Sequence, residues 1–486
     1  MSENSQQPSD SAESSSSSSD DMVNHTENSN HDTNTNIPPP SPGALKRSFS
    51  TVEPPRPTAA KRRVANFVDG YYERDLRSGS AKLRGLVSKV NKAYSYDDCP
   101  LHEGHIRLLF LRPSGNPDDD IFIELRTYPI EDLVRHSKKY QFTALSYNWG
   151  EGAETNVVFV DREATSDSAS NQKVSDVAFA FKRRMRMFTV RPNLYAFLKQ
   201  FRHPTQLVAL WIDRVCINQA SNLEKQDQVS RMGRIYSTAT NVSIWLGPAD
   251  QEGKTDRAMD FVSMILEGPE EKLHDQYAMN WSDLLLLMRR RWFSRRWIIQ
   301  ELALSKNAEV RCGSKRVHWR DFSDAVSIFA LHFDEILKII KRRPDLDKSL
   351  EGIKDMQPFG ARILVDVLSN TFQRHVDGSI YTPRQGLESL ISSLSTFETS
   401  DPRDTVYTLL NLCKEAFELP SQGYRNENRR HRENQPPVPD YTLDLLEVYT
   451  YFLKWCVKES RSLDILCRHW ASRKLRRSWT TSIQGL

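Results

Sequence analysis

The chain lacks the features that would assign it to a membrane, a disulfide framework or a nucleic acid. No apolar run reaches the roughly eighteen residues that a spanning helix needs, and the N-terminus has neither the basic nor the apolar region of a signal peptide. An intracellular chain is expected, cytoplasmic or nuclear, without a membrane partner. Its six cysteines are scattered and form no CxxC pair, which fits reduced thiols rather than disulfides or zinc ligands. The 67 basic residues are offset by 63 acidic ones, a formal net charge of +4 over 486 residues. So balanced a charge gives no basic footprint, and no nucleic-acid partner is expected. There is no GxGxxG fingerprint, no Walker loop, no repeat array and no heptad run.

What is present is enough apolar material, 38% of residues, for a large folded body. Residues 1–90 are read as a disordered N-terminal segment. Ser, Asn, Asp and Pro dominate its first sixty or so residues, which hold too few large apolar side chains to offset the entropy of ordering. Within it Lys46-Arg47 and Lys61-Arg62-Arg63 suit either a bipartite nuclear import signal or a solvated basic linker.

The folded part begins with two strand-like runs, Ile106-Arg-Leu-Leu-Phe-Leu111 and Ile121-Phe-Ile-Glu-Leu125, separated by a turn-rich stretch and read as a hairpin. From about 142 to 313 strands alternate with helical stretches, the rhythm of an α/β fold with a parallel sheet. Residues 207–212 are almost wholly apolar, as expected of a strand buried on both faces, and Asp213 stands at its carboxyl end. Residues 142–147 run likewise into Asn148-Trp149-Gly150, and 241–246 into Gly247-Pro248. In open parallel sheets the crevice beyond such ends is where ligands bind, so Asn148, Trp149, Gly150, Asp213, Asn218 and Gln219 are site candidates.

The helix after the second of these strands starts at a capping box, Ser221 with Glu224, and turns Val229, Met232, Ile235 and Tyr236 toward the sheet. Lys225, Arg231 and Arg234 are assigned to its solvated face. A further buried helix is expected from Ser294 as N-cap through Leu304, with Trp297 beside Glu301 and Arg296 beside Gln300. After Trp319 helical stretches take over, at 322–342 and 443–458, and a polar, basic stretch at 425–439 reads as a loop.

Three blocks, Ala144-Leu-Ser-Tyr-Asn-Trp-Gly150, Leu210-Trp-Ile-Asp-Arg-Val-Cys-Ile-Asn-Gln219 and Arg296-Trp-Ile-Ile-Gln-Glu301, resemble the signature blocks of the HET (heterokaryon incompatibility) domain of filamentous fungi. Asp401-Pro-Arg-Asp-Thr-Val-Tyr407 and Pro439-Asp-Tyr441 resemble elements that follow that signature. The resemblance covers about residues 94–480 and implies a HET domain over 94–319 and a helical C-terminal region over 320–486. Family members usually continue beyond Ser478-Trp479, so a C-terminal portion is expected to be missing.

The resemblance also implies a TIR-like, flavodoxin-like sheet, and a role in fungal non-self recognition and regulated cell death. Some TIR domains cleave NAD+ with a helix glutamate, and the segment 296–302 is similar to the one that carries it. That makes Glu301 the candidate catalytic residue and NAD+ the candidate substrate, acting on self-association and requiring no metal or other cofactor. Trp149 or Trp297 would stack on a base or shield the bond, while Asp213, Asn148 or Asn218 would hold ribose hydroxyls. The rival is a non-enzymatic signalling module that triggers death through an unidentified protein partner.

Each candidate also has a plain structural reading. Glu301 suits an ion pair with Arg296 or Arg289, Asp213 a cap on the loop 214–218, and the tryptophans the core. Cys216, flanked by Val215 and Ile217, reads as a buried structural thiol, and the His102/His105 pair lacks a third metal ligand.

Overall fold

The computed structural model describes residues 90, 92–162, 184–347, 360–374, 380–415, 436–468 and 470. The N-terminal low-complexity segment, both basic clusters, most of the expected loop at 425–439 and the end around Ser478-Trp479 lie outside these residues.

The apolar runs become strands. In chain order they are β1 (His105–Leu111), β2 (Phe122–Pro129), β3 (Thr143–Tyr147), β4 (Asn156–Asp161), β5 (Met185–Val190), β6 (Val208–Trp211), β7 (Asn241–Trp245), β8 (Ala308–Cys312) and β9 (Lys315–His318). They make one nine-stranded sheet in the order β5-β4-β2-β1-β6-β3-β7-β8-β9. Its centre is parallel: β3 pairs with β6 on one side and β7 on the other, and β7 pairs with β8. Among these four strands the first in sequence lies between the second and the third, the flavodoxin-type order with a switch point between β3 and β7.

The sheet as a whole is mixed rather than parallel. β1 and β2 are joined by residues 112–121, too few for a crossover to a parallel neighbour, so they pair antiparallel, and β1 lies antiparallel on β6. The edges β5 and β9 are antiparallel to their neighbours as well.

Helices cover the sheet: α1 (Ile130–Arg135), α2 (Pro192–Phe201), α3 (Asp213–Cys216), α4 (Asn222–Thr238), α5 (Lys254–Glu267), α6 (Ala278–Met288) and α7 (Trp297–Ala303). In α4 Ser221 Oγ accepts from Glu224 N at 3.3 Å, as the capping box requires. The Glu224 carboxylate instead accepts from Asn218 N at 2.6 Å and from buried Arg107 on β1, so it ties helix, loop and sheet together. The basic face of α4 is engaged as well: Arg231 pairs with Asp227, Arg234 with Glu131, and Lys225 Nζ lies 4.0 Å from the Tyr441 ring centroid.

The C-terminal region is mostly helical, as expected, with α8 (Trp319–Leu331), α9 (Phe333–Lys341), α10 (Pro344–Asp347), α11 (Gly360–Thr371), α12 (Leu387–Ser393), α13 (Asp404–Tyr407), α14 (Leu445–Ser460) and α15 (Asp464–Cys467). A small hairpin of β10 (Phe372–Arg374) and β11 (Ile380–Pro383) was not anticipated from the pattern. One continuous apolar core runs from β1 to Trp470, so these helices pack on the α/β part rather than standing apart.

Helix α4 meets the C-terminal region at Gly233, where a Cβ would lie 2.9 Å from Asn411 Cγ and 3.0 Å from its Cβ. Alanine is the better helix former, by about 1 kcal/mol, yet here neither Asn411 atom is the end of a flexible chain. We expect Gly233→Ala to lower stability by about 1–3 kcal/mol through overpacking. Chemical denaturation checks this, and an unchanged or higher midpoint would contradict it.

Candidate functional site

Because β6, β3 and β7 are adjacent and parallel, their carboxyl ends share one edge of the sheet. Ser146, a buried polar residue of β3, points its hydroxyl at Glu301 on α7 and donates to Oε2. The same hydroxyl accepts from Trp292 Nε1 at 2.9 Å. Glu301 is 2% exposed. Burial pushes its carboxyl up to about 7; the Arg295 charge and the Ser146 hydrogen bond act against that rise, and the Asp213 charge adds to it. The arginine in reach is thus Arg295, whose guanidinium donates to Tyr147 O. It is neither Arg296 nor Arg289.

Asp213 occupies the expected place at the end of β6. It is half-buried, and burial raises its pKa against the pull of Arg295. Both carboxylate oxygens are engaged: Oδ2 accepts from Trp149 Nε1 at 2.9 Å and Oδ1 from Arg214 N at 2.7 Å. The loop-capping reading therefore describes the Arg214 contact, while the Trp149 contact joins the ends of β3 and β6.

The remaining polar candidates make turns. Asn148 Oδ1 accepts from Gly150 N at 2.7 Å, Asn218 Oδ1 accepts from Ala220 N at 3.1 Å, and Gln219 Nε2 donates to Asp213 O at 2.9 Å. Gly150 has φ +80, which explains why glycine ends this motif. Asn193 was not singled out from the sequence, yet it links both strand ends by donating to Asn148 O at 2.6 Å and accepting from Trp245 Nε1 at 3.0 Å. Trp211 and Trp245 lie in the core. Trp149 is half-buried against it.

Helix α7 starts later than expected. Ser294 closes a 3-10 turn, its hydroxyl donating to Arg291 O at 3.0 Å, and the N-cap is Arg296. The competing interaction is a β-bridge between Arg295 and Glu398, with Glu398 N donating to Ser294 O at 2.7 Å and Arg296 N to Glu398 O at 2.9 Å. Three successive side chains then diverge. Arg295 turns to β3, and Arg296 is buried and donates to Leu394 O at 2.6 Å. Trp297 donates to Asp404 Oδ2 at 3.0 Å. Its indole NH therefore joins the C-terminal region. A single helical turn separates Trp297 from Glu301, but their polar contacts lead in different directions.

Asp404 itself was missed. It accepts from Tyr441 OH at 2.7 Å as well as from Trp297, and burial pushes its carboxyl up to about 6. Arg403 pairs with Asp401 and donates to Tyr441 O at 2.9 Å and Leu443 O at 2.8 Å. The two late blocks, 401–407 and 439–441, are thus one hydrogen-bonded unit. A Trp indole four residues before a buried helix carboxylate, followed far downstream by Asp-Pro-Arg-Asp, was the only available signal.

Cys216 is fully buried, with its thiol pushed up to about 12 by burial and its Sγ accepting from Ile212 N at 3.4 Å; it is a structural group. His102 and His105 meet edge to face with ring centroids 5.5 Å apart.

Residues 142–301 match the family model described as heterokaryon incompatibility protein (HET). The chain is 26% identical over 427 residues to Heterokaryon incompatibility protein 6, OR allele, of Neurospora crassa, an alignment covering 77% of this chain and 56% of that protein. The chain thus spans little more than half the length of that curated relative. No solved structure matches it.

The raised Glu301 carboxyl has a thermodynamic signature. Between about pH 4.5 and 7 the folded chain holds a proton that the unfolded chain has released, so stability is fully present below that window and is lost as pH rises through it. Asp404 acts in the same direction but finishes near pH 6. We expect Glu301→Gln to flatten the fall in unfolding free energy between pH 6 and 7, which for one group is about 1 kcal/mol. Denaturation at both pH values measures it, and an unchanged slope would show that Glu301 does not titrate there.

Proposed function

The chain is a HET-domain protein, with the domain matched over residues 142–301, and from that premise we propose that it acts in heterokaryon incompatibility, in fungal non-self recognition and regulated cell death. The mechanistic reading is NAD+ cleavage supported by Glu301 once self-association opens the domain. The supporting observation is a helix carboxyl at the carboxyl edge of a parallel sheet with a pKa about 7, next to the Arg295 charge.

In that reaction the bond between nicotinamide and ribose C1′ breaks, its electron pair neutralises the pyridinium nitrogen, and water adds to C1′ with loss of a proton. Positive charge develops on the ribose, and an ionised carboxylate stabilises it. Only the ionised form of Glu301 serves this purpose, so the rate should rise with pH through about 7. A cationic substrate beside it would favour ionisation further.

A second reading, a non-enzymatic module that triggers death through protein partners, is supported by a different observation: Glu301 is 2% exposed and already hydrogen-bonded by Ser146. In that state the group holds α7 to β3.

The two readings part in one experiment. The purified chain, dilute and under forced oligomerisation, is assayed for NAD+ loss, and wild type and Glu301→Gln are compared in a cell-death assay. NAD+ loss in the oligomeric form only, with both NAD+ loss and toxicity abolished by the substitution, supports the enzyme. Toxicity that survives the substitution without NAD+ loss leaves the signalling module.

A further inference from the structure

We propose that the switch-point crevice between β3 and β7 binds an organic phosphate through Arg191 and Arg290, assisted by Arg295. Each of these arginines spends its guanidinium on main-chain carbonyls at the strand ends. Arg191 donates to Gly150 O at 2.5 Å, Arg290 to Leu246 O at 2.9 Å and Pro248 O at 3.3 Å, and Arg295 to Tyr147 O. Carbonyl dipoles orient a guanidinium without cancelling its charge. Among the described residues none of the three has a carboxylate within ion-pairing distance, whereas neighbouring Arg214 and Arg291 are paired with Glu154 and Glu151. Arg295 does lie in the field of Glu301 and Asp213, so the unbalanced charge belongs chiefly to Arg191 and Arg290.

The groups are contiguous. A Cβ on Gly247 would fall 2.8 Å from Arg290 Nη1 and 3.7 Å from Asn193 Oδ1, and one on Gly150 would fall 3.6 Å from Asn193 Cβ. Gly247 has φ +117 and Gly150 φ +80, so both strands leave the sheet through turns that carry no side chain over the crevice. Arg191 is moreover the N-cap of α2, a ten-residue helix with no side-chain cap and no acidic residue in its first turn. Its free amides add to the same positive potential. Half-buried arginines with a fork geometry, set at the switch point of a parallel sheet, suit the oxygens of a phosphate or diphosphate ester. Such binding goes beyond the reading above, since it requires no bond to be cleaved.

The test is calorimetric titration of the full chain, at low ionic strength, with inorganic phosphate, pyrophosphate, ADP, NAD+ and uncharged adenosine. Saturable binding of the diphosphates and none of adenosine is expected. Arg191→Gln and Arg290→Gln should each weaken it about tenfold or more, and Arg291→Gln about twofold at most. ADP or NAD+ binding tighter than pyrophosphate would support a nucleotide ligand, and equal affinity the bare diphosphate. Should the glutamine variants not fold, Arg290→Lys and arylglyoxal labelling of the wild type replace them: pyrophosphate should slow modification of Arg191 and Arg290 relative to Arg291. Pyrophosphate has no glycosidic bond, so its binding is read independently of NAD+ loss, and failure of the NAD+ reading leaves this one standing. No saturable binding at millimolar anion, unchanged affinity in both arginine variants, or equal labelling rates would overturn it and leave a merely solvated arginine rim.

Discussion

A carboxyl group that water would ordinarily hold sits sealed between a helix and the end of a strand, and the arrangement around it follows from that cost. Burial of Glu301 disfavours its charged form, which is why its pKa lies about 7 rather than in the usual carboxylate range. Ser146 and Arg295 limit the penalty, the first by a hydrogen bond and the second by its charge. Both contacts require α7 to lie at one height against β3. The helix spans only Trp297–Ala303, too short to fix its own position, so the anchoring must come from its flanks.

Those anchors reach in both directions. Arg295 holds the β3 end, while Arg296 and Trp297 hold the C-terminal region. Arg296 is a buried cation with no carboxylate paired to it among the described residues, and desolvation lowers its pKa to about 10. It remains charged at neutral pH, since about 10 still lies well above 7, and it donates to Leu394 O and Ile391 O at the end of α12. The matched domain ends at residue 301, yet the groups that seat its last helix lie at 391–404 and are joined to Tyr441. The C-terminal region is in this sense part of the site.

The sequence made the sheet centre legible because β3, β6 and β7 are continuous apolar runs ending in turn-forming residues, a signal that survives without any tertiary information. The sheet edges were harder. The antiparallel pairing of β4 with β5 joins segments separated by 23 residues, and no local pattern fixes a partner strand across such a gap. Asp213 stands at the end of β6 and Glu301 lies buried against β3, while Trp297 turns its indole NH to Asp404; helical spacing tells which residues share a face and not what that face meets. Ser146 was visible as a polar residue within a mostly apolar run, but its partner lies 155 residues away. Ser294 looked like an N-cap and lost to the β-bridge with Glu398, a contact between distant segments.

Taken together, the strand-end edge has two layers of opposite character. Outside lies a rim of half-buried arginines whose charges are oriented by carbonyls and, among the described residues, not paired with acids. Beneath it lies a carboxyl that is only partly ionised at neutral pH because burial disfavours its charge. A ligand at the rim would be attracted by the first layer without contacting the second. Bringing the two together demands a shift of α7, and the resistance to that shift is the sum of the contacts made by Arg295, Arg296, Trp297 and Ser146. Whatever displaces the C-terminal region acts on two of these four at once, and the remaining two, Ser146 on β3 and Arg295 bonded to the end of that strand, then bear the cost of a buried carboxyl alone.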